Sequence, residues 1–186
     1  CKLQIKKYGS LKKDLEGLKI LVTAGPTKES IDPVRIITNQ SSGRMGVLIA
    51  QAARFRGAKV ELVHGPLDIP NAWLEGLKSN EIETAEEMQI ILQKCQKHFD
   101  VLIMAAAIAD LRAKNGTAKE KANKKNLLQI LGESLEEVPD LLKELVKRKT
   151  SKQVLVGFAA LSGSDHEIHL AGKAKKIAKG CDLLMA

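Results

Sequence analysis

The sequence has 186 residues, enough for one ordinary domain with a sizeable core and too few for two. Hydrophobic residues make up 44% of it but aromatics only 3%, so the core has to be aliphatic, and no apolar run reaches the roughly 20 residues of a membrane span. The formal charge of +8 admits nucleic acid, an anionic surface or a phosphate-rich small ligand, and the one Trp, one Tyr and three Phe do not cluster as base-stacking platforms do.

Residues 1–18 are basic and weakly patterned and read as a linker or junction ahead of a domain over 19–186. Lys19 to Gly25 is a short β-branched run closed by glycine, hence a buried strand. Residues 26–42 read as a long loop, with Ser42 as N-cap of a helix from Gly43 to about Arg56 that Gly57 stops. Lys59 to Gly65 is a second strand, and the capping pattern Thr84-Ala85-Glu86-Glu87 opens a second helix to about His98. Val101 to Ala107 is a third strand, apolar on both faces as in a doubly covered parallel sheet. Residues 112–126 lack periodicity, 126–131 read as a strand, and Pro139 to about Arg148 as a helix with Pro in its first turn. Gln153 to Phe158 is a strand, 165–179 a helix, and Asp182 to Met185 starts one more strand.

This alternation predicts an α/β, Rossmann-like, mostly parallel sheet with helices on both faces. Ligands of such sheets bind beyond the carboxyl ends of the strands, which puts Gly25, Ala105 to Asp110, Phe158 and the 39–43 turn on one rim. At that turn Asn39, Ser41, Ser42 and Gly43 stand at a helix start, where free N–H groups and the helix dipole favour an anion. An ordinary capped helix without ligand explains the same residues, but Asn39 adds an uncharged amide suited to a developing oxyanion. Asp110 ends a run of small residues that lets a ligand approach the backbone, or it is a turn aspartate. Lys175 and Lys179 share a helix face and suit a phosphate chain, or they are surface lysines, and the lysines of the 119–125 loop either neutralise a triphosphate or are a solvated charge run. Phe158 either walls a base or packs in the core. His166 and His169 lack a third ligand at metal spacing. Cys1, Cys95 and Cys181 form neither a CxxC pair nor a His/Cys pattern and fit a reducing cytosol, and no cleavable leader opens the chain. No GxxxxGK[ST] run and no GxGxxG after the first strand are present, which argues against a Walker NTPase and a nicotinamide oxidoreductase. The oxidoreductase and a basic nucleic-acid-binding module remain as alternatives.

Thr23-Ala24-Gly25-Pro26-Thr27, Ile31-Asp32-Pro33-Val34-Arg35, Asn39 to Gly46, Ala105 to Asp110, Gly157-Phe158-Ala159-Ala160 and Lys179-Gly180-Cys181-Asp182 occur in this order, and together they resemble the phosphopantothenate–cysteine ligase family of coenzyme A biosynthesis. The resemblance implies condensation of 4'-phosphopantothenate with cysteine through an acyl-cytidylate made from CTP, with magnesium carried by the nucleotide rather than by a protein cage. It implies a homodimer in the cytoplasm, without nucleic-acid or membrane partners, working with or fused to a flavin-dependent phosphopantothenoylcysteine decarboxylase. Eukaryotic relatives use ATP. By position, Asn39 serves the second half-reaction with Arg35 nearby, and Lys121 serves the first. The nucleotide site takes Met104, Ala105, Ala106, Asp110, Lys121, the turn Val138-Pro139-Asp140-Leu141, Phe158, Lys175 and Lys179, with Gly25, Ser41, Ser42 and Gly43 counted to it. The family's Asn-Pro-Asp is here Val138-Pro139-Asp140, and its Glu-Thr after Phe-Ala-Ala is here Leu161-Ser162. Relatives continue past the position of Ala186, so the expectation is a site lacking the family's C-terminal segment.

Overall fold

In the structure, a computed structural model that describes residues 13–114 and 120–186, the apolar strands assemble into one parallel sheet. Its strands are β1 (Lys19–Ala24), β4 (Lys59–His64), β5 (Lys78–Glu81), β6 (Val101–Met104), β9 (Val154–Phe158) and β10 (Leu183–Met185). They lie in the order β5-β4-β1-β6-β9-β10, all parallel. Two halves therefore wind outward from the central pair β1–β6, and the chain reverses its direction of winding there. The expected Rossmann-like sheet is what the chain forms.

Strand side chains alternate between two covering layers. Ile20, Val22 and Ala24 face α1 (Arg44–Phe55), whose Val47, Ala50 and Ala53 are buried on them. Leu21, Leu102 and Leu155 face the opposite layer, where α2 (Ala85–Cys95) supplies Met88 and Leu92, and α4 (Leu141–Arg148) supplies Leu141 and Leu145. Burying each such side chain is worth about 1.5–3 kcal/mol. The capping box of α2 forms as its sequence foretold: Thr84 Oγ1 accepts from Glu87 N at 3.2 Å, and Glu87 Oε2 accepts from Thr84 N at 3.2 Å. The last helix, α5 (Asp165–Lys179), has no buried residue and lies against β10 and α4.

Four expectations are corrected. Residues 26–42 are not a plain loop: β2 (Lys28–Asp32) and β3 (Arg35–Thr38) pair as an antiparallel hairpin. Their strands are short, and Ile31, Ile36 and Ile37 do not alternate with polar residues in a period-2 run, so no strand pattern announced them. Residues 126–131 are not a strand but the middle of α3 (Lys124–Glu133), nucleated by Asn123, whose side chain accepts from Asn126 N at 2.9 Å. Ser42 is not the N-cap of α1; Gly43 is, at φ 74°, with no side-chain cap. The run 101–107 leaves the sheet after Met104. Three strands had no sequence signal: β5, and the antiparallel pair β7 (Leu111–Ala113) with β8 (Leu135–Glu137). Of the presumed junction, residues 1–12 lie outside the described residues, whereas Leu15 and Leu18 pack on the α1 layer and Asp14 pairs with Arg56 at 2.7 Å.

Candidate functional site

Beyond the carboxyl ends of β6 and β9 lies a cleft of about 250 Å³. Met104, Ala106, Ile108, Ala109 and Asp110 form one wall; Val138, Pro139, Asp140, Leu141 and Leu142 form another; Phe158, Lys175, Lys179 and Leu184 complete it. Five segments distant in sequence thus meet at one opening. Asp140 caps α4, its Oδ1 accepting from Lys143 N at 3.1 Å, while its Oδ2 holds Lys179 Nζ at 2.5 Å. Lys179 is therefore held at the cleft by a carboxylate that partly offsets its charge. Ala105 adjoins this wall without lining the cleft.

The wall 105–110 is tied to the first crossover by backbone. Ala107 N donates to Gly25 O at 2.9 Å and Thr27 N to Ala107 O at 3.2 Å. Two threonines finish the joint: Thr23 Oγ1 accepts from Ala106 N at 3.1 Å, and Thr27 Oγ1 from Ala109 N at 3.0 Å. Both are fully buried, which is why each must be hydrogen-bonded. They went unremarked in the sequence as functional positions; hydroxyls inside an otherwise apolar, buried stretch were the available signal.

Gly25, Ser41, Ser42 and Gly43 gather at the β1–α1 turn, where a Cβ on Gly43 would stand 3.1 Å from Gly25 N. They are not part of the lysine-bearing cleft wall. Ser41 Oγ accepts from Gly43 N at 3.3 Å and Ser42 Oγ from Arg44 N at 3.4 Å, so the serines close the turn on itself. Asn39 bridges the two regions: its Nδ2 donates to Ile108 O at 2.9 Å, on the cleft wall. The amide carries a second N–H by its chemistry.

Arg35 and Lys121 sit on the hairpin side. Arg35 donates through one nitrogen to Asp32 Oδ2 at 2.6 Å and to Ala122 O at 3.0 Å, and Asp32 Oδ2 also accepts from Ala122 N at 3.1 Å. Lys121, exposed, is the residue before this grip and is not in the cleft wall. The sequence motif by itself gives Asp32 no role. Burial alone would raise its carboxyl, but the N–H groups of Val34 and Ala122 and the Arg35 guanidinium hold it below the usual carboxylate range. Lys119 lies outside the described residues.

Other groups are less suited to chemistry. Burial pushes the Cys95 thiol up to about 11, away from the thiolate a nucleophile needs. His64 ends β4 buried, its Nδ1 2.7 Å from Gly65 O, where a dinucleotide fold offers the ribose an acid. Among the described residues no group of three or more His, Cys, Asp or Glu is arranged to hold a metal ion, and no helix is long and apolar enough to cross a membrane.

The chain is 40% identical over 178 residues to the coenzyme A biosynthesis bifunctional protein CoaBC of Thermococcus kodakarensis, covering 94% of this chain and 42% of that protein. Against its Escherichia coli counterpart it is 38% identical over 177 residues, covering 93% and 41%. It thus spans about two fifths of the length of the curated relatives it matches. A crystal structure of the C-terminal domain of a CoaBC protein superposes with a TM-score of 0.73 at 34% identity, over 95% of this chain and 78% of that one. Residues 15–186 match the model of the DNA/pantothenate metabolism flavoprotein C-terminal domain, and the chain belongs to that family.

Proposed function

We propose that this chain is a phosphopantothenate–cysteine ligase domain of coenzyme A biosynthesis that activates 4'-phosphopantothenate with CTP. Membership of the family and similarity to proteins named for coenzyme A biosynthesis support it. The observation that carries it is the cleft itself, in which Lys175 and Lys179, Phe158 and the 104–110 and 138–141 segments converge beyond the strand ends, offering cations to a phosphate chain and an aromatic wall to a base.

A carboxylate is a poor acyl donor until its oxygen becomes part of a leaving group. The phosphopantothenate carboxylate attacks the α-phosphorus of CTP, giving acyl-cytidylate and releasing pyrophosphate. Lys121, Lys175 and Lys179 offset the charge gathered there. The amine of cysteine then attacks the activated carbonyl, cytidine monophosphate departs, and the nitrogen gives up its proton. Asn39, anchored on Ile108 O, donates its second N–H to the tetrahedral oxyanion, with Arg35 on the acid side. Magnesium would enter on the phosphates of the nucleotide and lower their charge. Gly25, Ser41, Ser42 and Gly43 stand apart from the cleft, with the N–H groups of Gly43 and Arg44 engaged by the serine hydroxyls.

Incubating the chain with phosphopantothenate and each nucleoside triphosphate, cysteine omitted, and weighing the products tests the reading. An acyl-cytidylate adduct mass with stoichiometric pyrophosphate from CTP is expected; the same yield from ATP would move the nucleotide assignment, and no adduct from any triphosphate would refute the ligase. The domain is read as a homodimer, which exposed Val34, Ile36, Met45 and Leu48 favour, and as the partner of a flavin-dependent decarboxylase acting on its product. Light scattering that gives the monomer mass at micromolar concentration would reject the dimer. The unpaired Cys95 and Cys181 suit the reducing cytoplasm.

A further inference from the structure

We propose that Asp32 is a positioning residue that places Lys121 for acyl-nucleotide formation by gripping the backbone of Ala122. The inference rests on the ligase reading for the task of Lys121, and on the hairpin geometry for the grip. The Asp32 side chain is fully buried, a costly place for a carboxylate unless every lone pair is used. One oxygen serves the hairpin turn itself, accepting from Val34 N at 2.9 Å. The other serves the distant loop: it accepts from Ala122 N at 3.1 Å and from Arg35 at 2.6 Å, and the same Arg35 nitrogen reaches Ala122 O at 3.0 Å.

Ala122 is thus held by both its N–H and its C=O, as a strand partner would hold it. Closing the hairpin would require only the first oxygen. The peptide plane that carries Ala122 N–H also contains the Cα and carbonyl of Lys121, so fixing one fixes the other. On the far side Asn123 starts α3 through its own cap, which removes the remaining slack. Lys121 itself stays exposed, with its backbone anchored and its side chain open to a ligand. Charge-assisted bonds at this spacing are the stronger kind.

Asp32→Asn keeps the shape but turns the second oxygen into a donor facing two donors. Amide hydrogen exchange at Ala122 should then quicken about tenfold, while the thermal transition checks that the fold persists. Pyrophosphate release with CTP and phosphopantothenate should fall about 10- to 100-fold through misplacement, with little change in KM for CTP. In a Lys121→Gln background the same change should cost nothing further. Arg35→Lys, which leaves the carboxylate paired, should also quicken exchange at Ala122. Unchanged exchange in both variants overturns the grip. Faster exchange with an unaltered release rate, or with additive losses in the double variant, overturns the positioning role. If Lys121→Gln alone leaves release untouched, the assignment of Lys121 fails, the positioning role with it, and the exchange data alone then judge the grip.

Discussion

Asn39 and Asp140 show how single side chains at this rim do two jobs. Asn39 ties the hairpin to the cleft wall through Ile108 O at 2.9 Å and keeps a second N–H for chemistry. Asn39→Ala should leave pyrophosphate release within a fewfold of wild type while ligated product falls about 100- to 1000-fold and acyl-cytidylate accumulates. Quenched-flow with mass detection would see this, and loss of the intermediate itself would move Asn39 to the first step. Asp140 caps α4 and orients Lys179. Asp140→Ala should cost about 1 kcal/mol of stability by loss of the cap, measured by urea unfolding, and should also weaken CTP binding if orientation of Lys179 outweighs the charge that Asp140 cancels. Tighter CTP binding would mean that cancellation dominates. At this scale Lys175, Lys179 and Phe158 stood out as candidates because their residue types suit a phosphate chain and a base, and the fold brings the three to one cleft. Asp32, Thr23 and Thr27 had no readable role, because what they do depends on partners some 80–90 positions away in sequence.

Elements were legible where one period dominates. Apart from β5, the strands of the main sheet and the helices packed on it announced themselves through apolar runs, caps and helix-stopping Gly57. The β2–β3 hairpin did not, because it is held by polar bonds to its surroundings: Glu29 accepts from Ala85 N at 2.8 Å, Asn39 donates to Ile108 O, and Asp32 grips Ala122. That hairpin also explains the absent GxGxxG. Gly25 makes the turn after β1 at φ 74°, Gly43 starts α1 at φ 74°, and a Cβ on Gly46 would lie 2.6 Å from Ala24 Cβ and 2.8 Å from Thr23 O. These are the separate tasks of turn and close helix–strand packing, here set apart by an inserted hairpin. Gly46→Ala should therefore force α1 off β1 and cost about 1–3 kcal/mol, read from the urea midpoint; a neutral result would mean that the layers yield freely. At 126–131, Leu127, Leu128, Ile130 and Leu131 suit either a strand or one stripe of a helix, and the Asn123 cap decided for the helix.

At the scale of the molecule, β9 is tied to the chain entering β10 by one half-buried carboxylate. Asp182 accepts from Leu155 N at 2.8 Å and pairs with Lys149 at 2.6 Å. Those two partners hold its carboxyl below its ordinary value of 3.8. A carboxyl lowered by folding contributes stability that is fully present above its unfolded value and fades as pH falls through the folded one. Asp182→Asn should thus be less stable than wild type at pH 7, with the gap closing below about pH 3.8. Urea unfolding at both pH values checks this, and a gap that persists in acid would assign the loss to packing instead. Alternation of strand and helix and the separated family motifs, all properties of local pattern and residue type, were set by the sequence alone. The strand order around β1–β6, the meeting of five segments in one cleft and the grip of Asp32 on Ala122 were decided only by tertiary structure. Burial turns a polar group that water would satisfy anywhere along the chain into one that must find a particular partner across it.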